Sequence, residues 1–124
     1  MQLTRLRELL NEVDILISQH AIYISKLERA IRNREEFAHK TYHECNFSVK
    51  WDGVVVPVKS GLPEEVRALV EEIEKIHCEL HEVSMQIDPK NPQPSDEEKL
   101  SRIKELSTLL FQKLLALKRL VKEE

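Results

Sequence analysis

Apolar residues return every three or four positions from Leu3 to Ile31: Leu3, Leu6, Leu10, Val13, Ile17, Ile24, Leu27 and Ile31, with His20 holding a place in the same stripe. That period predicts one long amphipathic helix. At about 1.5 Å per residue it is on the order of 40 Å long, so other helices must lie along it to cover its apolar face. Residues 32–43 keep helix-forming side chains but lose the stripe, which predicts a break or a short second helix before Cys45.

The pattern changes at 46–58. Phe47, Val49 and Trp51 alternate with polar residues, Asp52-Gly53 follows, and Val54, Val56 and Val58 alternate again. Period two around Asp-Gly predicts a β-hairpin pairing Trp51 with Val54, Val49 with Val56 and Phe47 with Val58, with an irregular loop flap as the competing form. Pro63, Glu64 and Glu65 then open a helix whose stripe is Val66, Val70, Ile73, His77, Leu80, Ser84 and Ile87. The prolines of Asp88-Pro89-Lys90-Asn91-Pro92-Gln93-Pro94 stop it. Ser95 and Glu98 read as a capping box for a last helix, whose core face is Leu100, Ile103, Leu106, Leu110, Leu114, Leu117 and Val121. The expected architecture is a single all-α domain over 1–124. It is an antiparallel bundle of three long helices and a shorter helical segment, with a hairpin or loop flap at 46–58.

Composition supports helices: the 124 residues include only two glycines, and one third are charged. So few glycines exclude a Gly-rich phosphate cradle, and a net charge of -3 lacks the basic excess that nucleic acid requires. Two cysteines far apart do not make a disulfide framework, which fits a reducing cytoplasm. No basic n-region with an apolar run opens the chain, and no uncharged stretch approaches the ~18 residues of a span, so neither export nor membrane insertion is expected.

His77 and His81 are one helical turn apart, a spacing with which a helix can chelate a metal. Alone the pair is weak, because a histidine on an apolar face is more often a hydrogen-bonded core residue. With His20, three imidazoles face the interior, costly to bury without a shared partner. Cys45 would complete a set of three imidazoles and one thiolate of the kind Zn²⁺ accepts, although a buried cysteine also serves as a small hydrophobe. Cys78 points about 100° away from His77 around the helix. His39 and His43 have polar neighbours and read as solvated, with His43 the weaker alternative ligand.

These residues resemble the chemoreceptor zinc-binding (CZB) domain family. His20-Ala21-Ile22-Tyr23, with Leu27 and Ile31, resembles its first-helix His-x-x-aromatic segment. Cys45-Asn46-Phe47-Ser48-Val49-Lys50-Trp51 looks like its Cys-x-(Leu/Phe)-Gly-x-Trp motif, with one residue more before the Trp and Ser48 or Val49 in place of the Gly. His77-Cys78-Glu79-Leu80-His81 is similar to its third-helix His-x-x-x-His, and 105–120 to its closing helix. The resemblance covers essentially the whole chain and implies that His20, Cys45, His77 and His81 are zinc ligands. It also implies a cytoplasmic regulator in which zinc occupancy, or oxidation of the zinc-bound cysteine, changes the output of a chemoreceptor or cyclic-di-GMP synthase. A chain of 124 residues leaves no room for such an output domain, which points to a free-standing or excised domain.

A closed four-ligand zinc leaves no position for a reacting water, so no enzyme is expected. The site would keep a net charge of +1, with Glu44, Glu74 and Glu82 as candidate outer carboxylates. Leu-rich stripes favour a homodimer. The rival class is a metal-free helical bundle acting as an interaction or dimerisation module. A hemerythrin-like di-iron bundle would need five histidines plus bridging carboxylates at characteristic helical spacings, of which the helix that opens at Pro63 offers the one pair His77 and His81.

Overall fold

The computed structural model describes residues 2–37, 39 and 45–123. Their regular structure is five α-helices and one 3₁₀ segment: α1 (Gln2–Leu10), α2 (Val13–Asn33), α3 (Asn46–Val54), the 3₁₀ segment Val56–Gly61, α4 (Glu64–Met85) and α5 (Asp96–Glu123). Among the described residues there is no strand. The three long helices expected from the sequence are α2, α4 and α5.

The single helix expected from Leu3 to Ile31 is broken at Asn11 and Glu12. Asn11 is a poor helix former, and the Glu12 amide bonds Leu9 O three residues back before Leu16 N–H to Glu12 O resumes the four-residue pattern. The buried face continues through the break as Leu6, Leu9, Leu10, Val13 and Leu16, which is why the periodicity shows no interruption. After Asn33 the chain does leave the helix. Arg34 adopts φ 54°, ψ 44°, and the Glu35 amide reaches back to Ala30 O at 2.9 Å, the bond of a left-handed helix stop. Residues 35–37 are not helical, and the rest of the expected short helix lies largely outside the described residues.

The hairpin expected over 46–58 does not form. Phe47, Trp51 and Val55 are buried at spacing four, whereas Val49, which the hairpin would have turned inward, is 59% exposed. A tight two-residue hairpin turn of the Asp-Gly type needs positive φ at both central residues. Neither Asp52 nor Gly53 has it, and both lie inside α3.

Pro63 precedes α4, Glu64 and Glu65 occupy its first turn, and the helix ends at Met85, ahead of the proline-rich loop. All seven residues of its predicted stripe are buried. At the start of α5 the closing bond differs from the expected Ser95/Glu98 box: buried Asp96 Oδ2 accepts from the Gln93 amide at 2.8 Å.

Ion pairs give the register. Arg102 binds Glu79 and Lys113 binds Glu72, so α4 and α5 are antiparallel. Lys104 with Glu28 and Arg7 Nε with Val121 O make α1 and α2 antiparallel to α5 as well. It follows that α2 and α4 run parallel, each packed against α5. The buried apolar residues of all five helices form one cluster, and α3 closes it at the level of His77.

Candidate metal centre

His20 lies on the inward face of α2 with Leu16, Ile24 and Leu27. His77 and His81 lie one turn apart on the inward face of α4, between Ile73 and Ser84. Cys45 stands just before α3 in extended conformation, φ -67° and ψ 138°, and its carbonyl accepts the Val49 amide. Four separately placed side chains thus meet between α2, the entry to α3, and α4.

All four are buried, and their ligand atoms lie within 4.8 Å of one another. The Nε2 atoms form a triangle with edges of 3.1 Å (His20–His77), 3.4 Å (His20–His81) and 3.1 Å (His77–His81). A tetrahedral ion with Zn–N bonds of 2.0–2.1 Å places neighbouring nitrogens about 3.3 Å apart. An imidazole nitrogen is in-plane donor or acceptor, not both, so three mutual contacts exceed what three such atoms can satisfy among themselves. One cation between them satisfies all three. The donor set therefore fits a metal ion, and its chemistry is compatible with zinc.

Burial holds His20 and His77 neutral. It pushes His20 from 6.5 to about 4, with the charge of His81 adding to the effect. It pushes His77 to about 2, with His20 and His81 contributing. Metal coordination by imidazole requires this neutral form.

Around the four donors the rings are packed closely. Phe47 lies 4.6 Å from the His77 ring centroid and stacks on Trp51 at 5.5 Å. Trp51 Nε1 donates to Glu74 Oε2 at 3.0 Å, and Lys59 donates to the other oxygen of that carboxylate. Glu74 thus acts on the site through Trp51 and Phe47. Glu82 accepts from Cys78 Sγ, and Glu44 lies outside the described residues. Cys78 is turned away from the site as expected; burial first, then Glu82, raises its thiol.

His39 departs from the solvated reading. It is half-buried, its Nε2 donates to Ile87 O at 2.8 Å, and its ring meets Phe37 edge-on. His43, the weaker alternative ligand, lies outside the described residues. Sequence reasoning also missed Ser48, whose Oγ is 3.5 Å from His77 Nδ1, and the Tyr23–Ser84 hydroxyl pair at 2.9 Å that ties α2 to α4 beside His81. Only the place of Ser84 on the α4 stripe hinted at the second.

No protein-family model, curated protein or solved structure matches this chain. The fold and the site define an all-α helical bundle with a buried group of three histidines and one cysteine that could hold a metal ion. Among the described residues no helix is long and apolar enough to cross a membrane.

Proposed function

We propose that the protein is a zinc-binding regulatory domain in which His20, Cys45, His77 and His81 hold the ion, as the chemoreceptor zinc-binding resemblance implies. The observation that supports this reading is the convergence of four buried donors within 4.8 Å of one another, three of them Nε2 atoms at the spacing of a tetrahedral ion's ligands. Zinc supplies a cross-link between α2, the entry to α3, and α4, so its binding free energy becomes folding free energy. The chain contributes the donors, the neutral state of His20 and His77, and the exclusion of water by buried Phe47 and Trp51.

Cys45 is the regulated member on this reading. A thiolate oxidised by peroxide or hypochlorous acid to a sulfenic acid no longer coordinates, and Cys45 leads directly into α3. Loss of the ion would loosen α3 against α2 and α4 and alter the surface offered to a second copy of the chain or to a receptor- or cyclase-type signalling partner. No open coordination position is left for substrate, so the role proposed is sensory and not enzymatic.

Metal content and native mass spectrometry of wild type, Cys45→Ala and His77→Ala test the proposal. One zinc per chain, lost in both variants, is the expected result. Metal-free wild type prepared without chelator, with stability unchanged in His77→Ala, would leave a bundle acting only as an interaction module.

A further inference from the structure

The three imidazoles of the site are not equally supported. When a histidine binds an ion through Nε2, its Nδ1 carries the proton, and ligating histidines normally donate it to a nearby acceptor that fixes tautomer and ring orientation. His77 has such a group. Ser48 Oγ lies 3.5 Å from His77 Nδ1; Ser48 is fully buried on α3, and its hydroxyl has no other partner among the described residues. His20 lacks one: its Nδ1 is buried and finds no hydrogen-bond partner among the described residues. His20 is also the only donor that α2 contributes.

We infer, resting on the metal-binding reading above, that Ser48 is the positioning residue that anchors His77 as a fixed ligand, and that His20 is the exchangeable ligand, the last to join the ion and the first to leave. The physical reason is a difference in what coordination requires of each ring. For His77 the metal-bound tautomer is the one whose Nδ1–H points at the Ser48 oxygen. For His20 the same tautomer buries an N–H with no acceptor among the described residues, so every moment on the metal carries a penalty that release removes. The α3–α4 side of the site, with Cys45, His77 and His81, is then the persistent half. The α2 side is the half that opens, and α2 is the helix whose attachment responds first when the ion becomes scarce.

The test is a Co²⁺ titration of the full chain, followed by the visible absorption of the bound ion and by chelator competition. Wild type, Ser48→Ala, Ser48→Thr, His20→Ala and His77→Ala are compared, with helical circular dichroism recorded for each. Ser48→Ala is expected to weaken binding roughly 10- to 100-fold, the usual effect of losing such a supporting group, and Ser48→Thr to recover most of it by restoring the hydroxyl. His20→Ala is expected to keep a weakened Co²⁺–thiolate absorption band, and His77→Ala to lose it. In metal-loaded wild type, nitrogen-15 spectra should show a slowly exchanging proton on His77 Nδ1 that is lost from Ser48→Ala, a change that general loosening of α3 would not confine to one ring. Unchanged affinity and an unchanged His77 signal in Ser48→Ala would overturn the role of Ser48. Loss of Co²⁺ from His20→Ala as complete as from His77→Ala would overturn the exchangeable role of His20. Failure of wild type to take up Co²⁺ or Zn²⁺ at all would instead overturn the metal-binding reading itself.

Discussion

His20 and His77 are built to stay neutral, and this sets how the metal-free protein responds to acid. Their ordinary pKa is 6.5, and burial lowers them to about 4 and about 2. Above pH 6.5 neither histidine takes up a proton in the folded or the unfolded chain, and their contribution to stability is fully present. Below it the unfolded chain binds protons that the folded one refuses, so stability falls as pH falls, by up to about 1.4 kcal/mol per pH unit for each histidine. Both act down to about pH 4, and His77 alone below that. Urea unfolding of chelator-treated protein should therefore show a midpoint dropping steadily from pH 7 to pH 4.5; a flat midpoint over that range would contradict the neutral burial. Trp51 belongs to the same scale. At 1% exposure, stacked on Phe47 and bonded to Glu74, it should cost about 3–5 kcal/mol when replaced by Ala. The measurement is the shift in denaturant midpoint of Trp51→Ala, and a loss below about 1 kcal/mol would mean that the ring is not the core residue its burial indicates.

Among the elements, α3 gives the sharpest contrast between pattern and structure. Phe47, Val49 and Trp51 obey period two, yet Phe47, Trp51 and Val55 obey period four equally well, and a short segment cannot separate the two. The outcome turned on what lay opposite: His77 and Glu74 on α4 receive Phe47 and the Trp51 indole from a helix. The long helices were legible because six stripe positions in α4 outvote any local ambiguity. So was the grouping of the three histidines, since His20 and His77 hold places in apolar stripes and His81 lies one turn from His77. Ser48 was not, because its meaning depends on the angle at which α3 crosses α4, which no local pattern encodes. Gly53 discriminates the two forms of the segment experimentally. It lies within α3 without positive φ, and an added Cβ would meet nothing within 4 Å, so Gly53→Ala should stabilise the protein by roughly 0.5–1 kcal/mol. Thermal denaturation reads this directly: a lowered Tm would point back to a turn that needs glycine.

At the scale of the whole molecule, the four donors come from α2, the entry to α3, and α4, while α5 contributes none. Instead, α5 is held by its apolar stripe and by ion pairs to Glu28, Glu72 and Glu79. If the four donors hold an ion as proposed, its removal should therefore act unevenly. Hydrogen exchange after chelation is expected to rise in α2 and α3 while the α4–α5 pair keeps its protection, because local opening follows the contacts that are lost. Uniform deprotection of all five helices would show that the site and the bundle unfold as one unit.

A bound ion would also divide the chain as a knot divides a rope. From His20 to His81 the backbone would be closed into a loop that tension on the two ends cannot reach, while α1 and α5 lie outside it. Pulled in an optical trap, the loaded protein should lengthen first by the outer helices alone. It would surrender the enclosed ~60 residues, roughly 200 Å of contour at about 3.5 Å each, only when a metal–ligand bond gives way. In the chelated chain that withheld length has nothing to guard it.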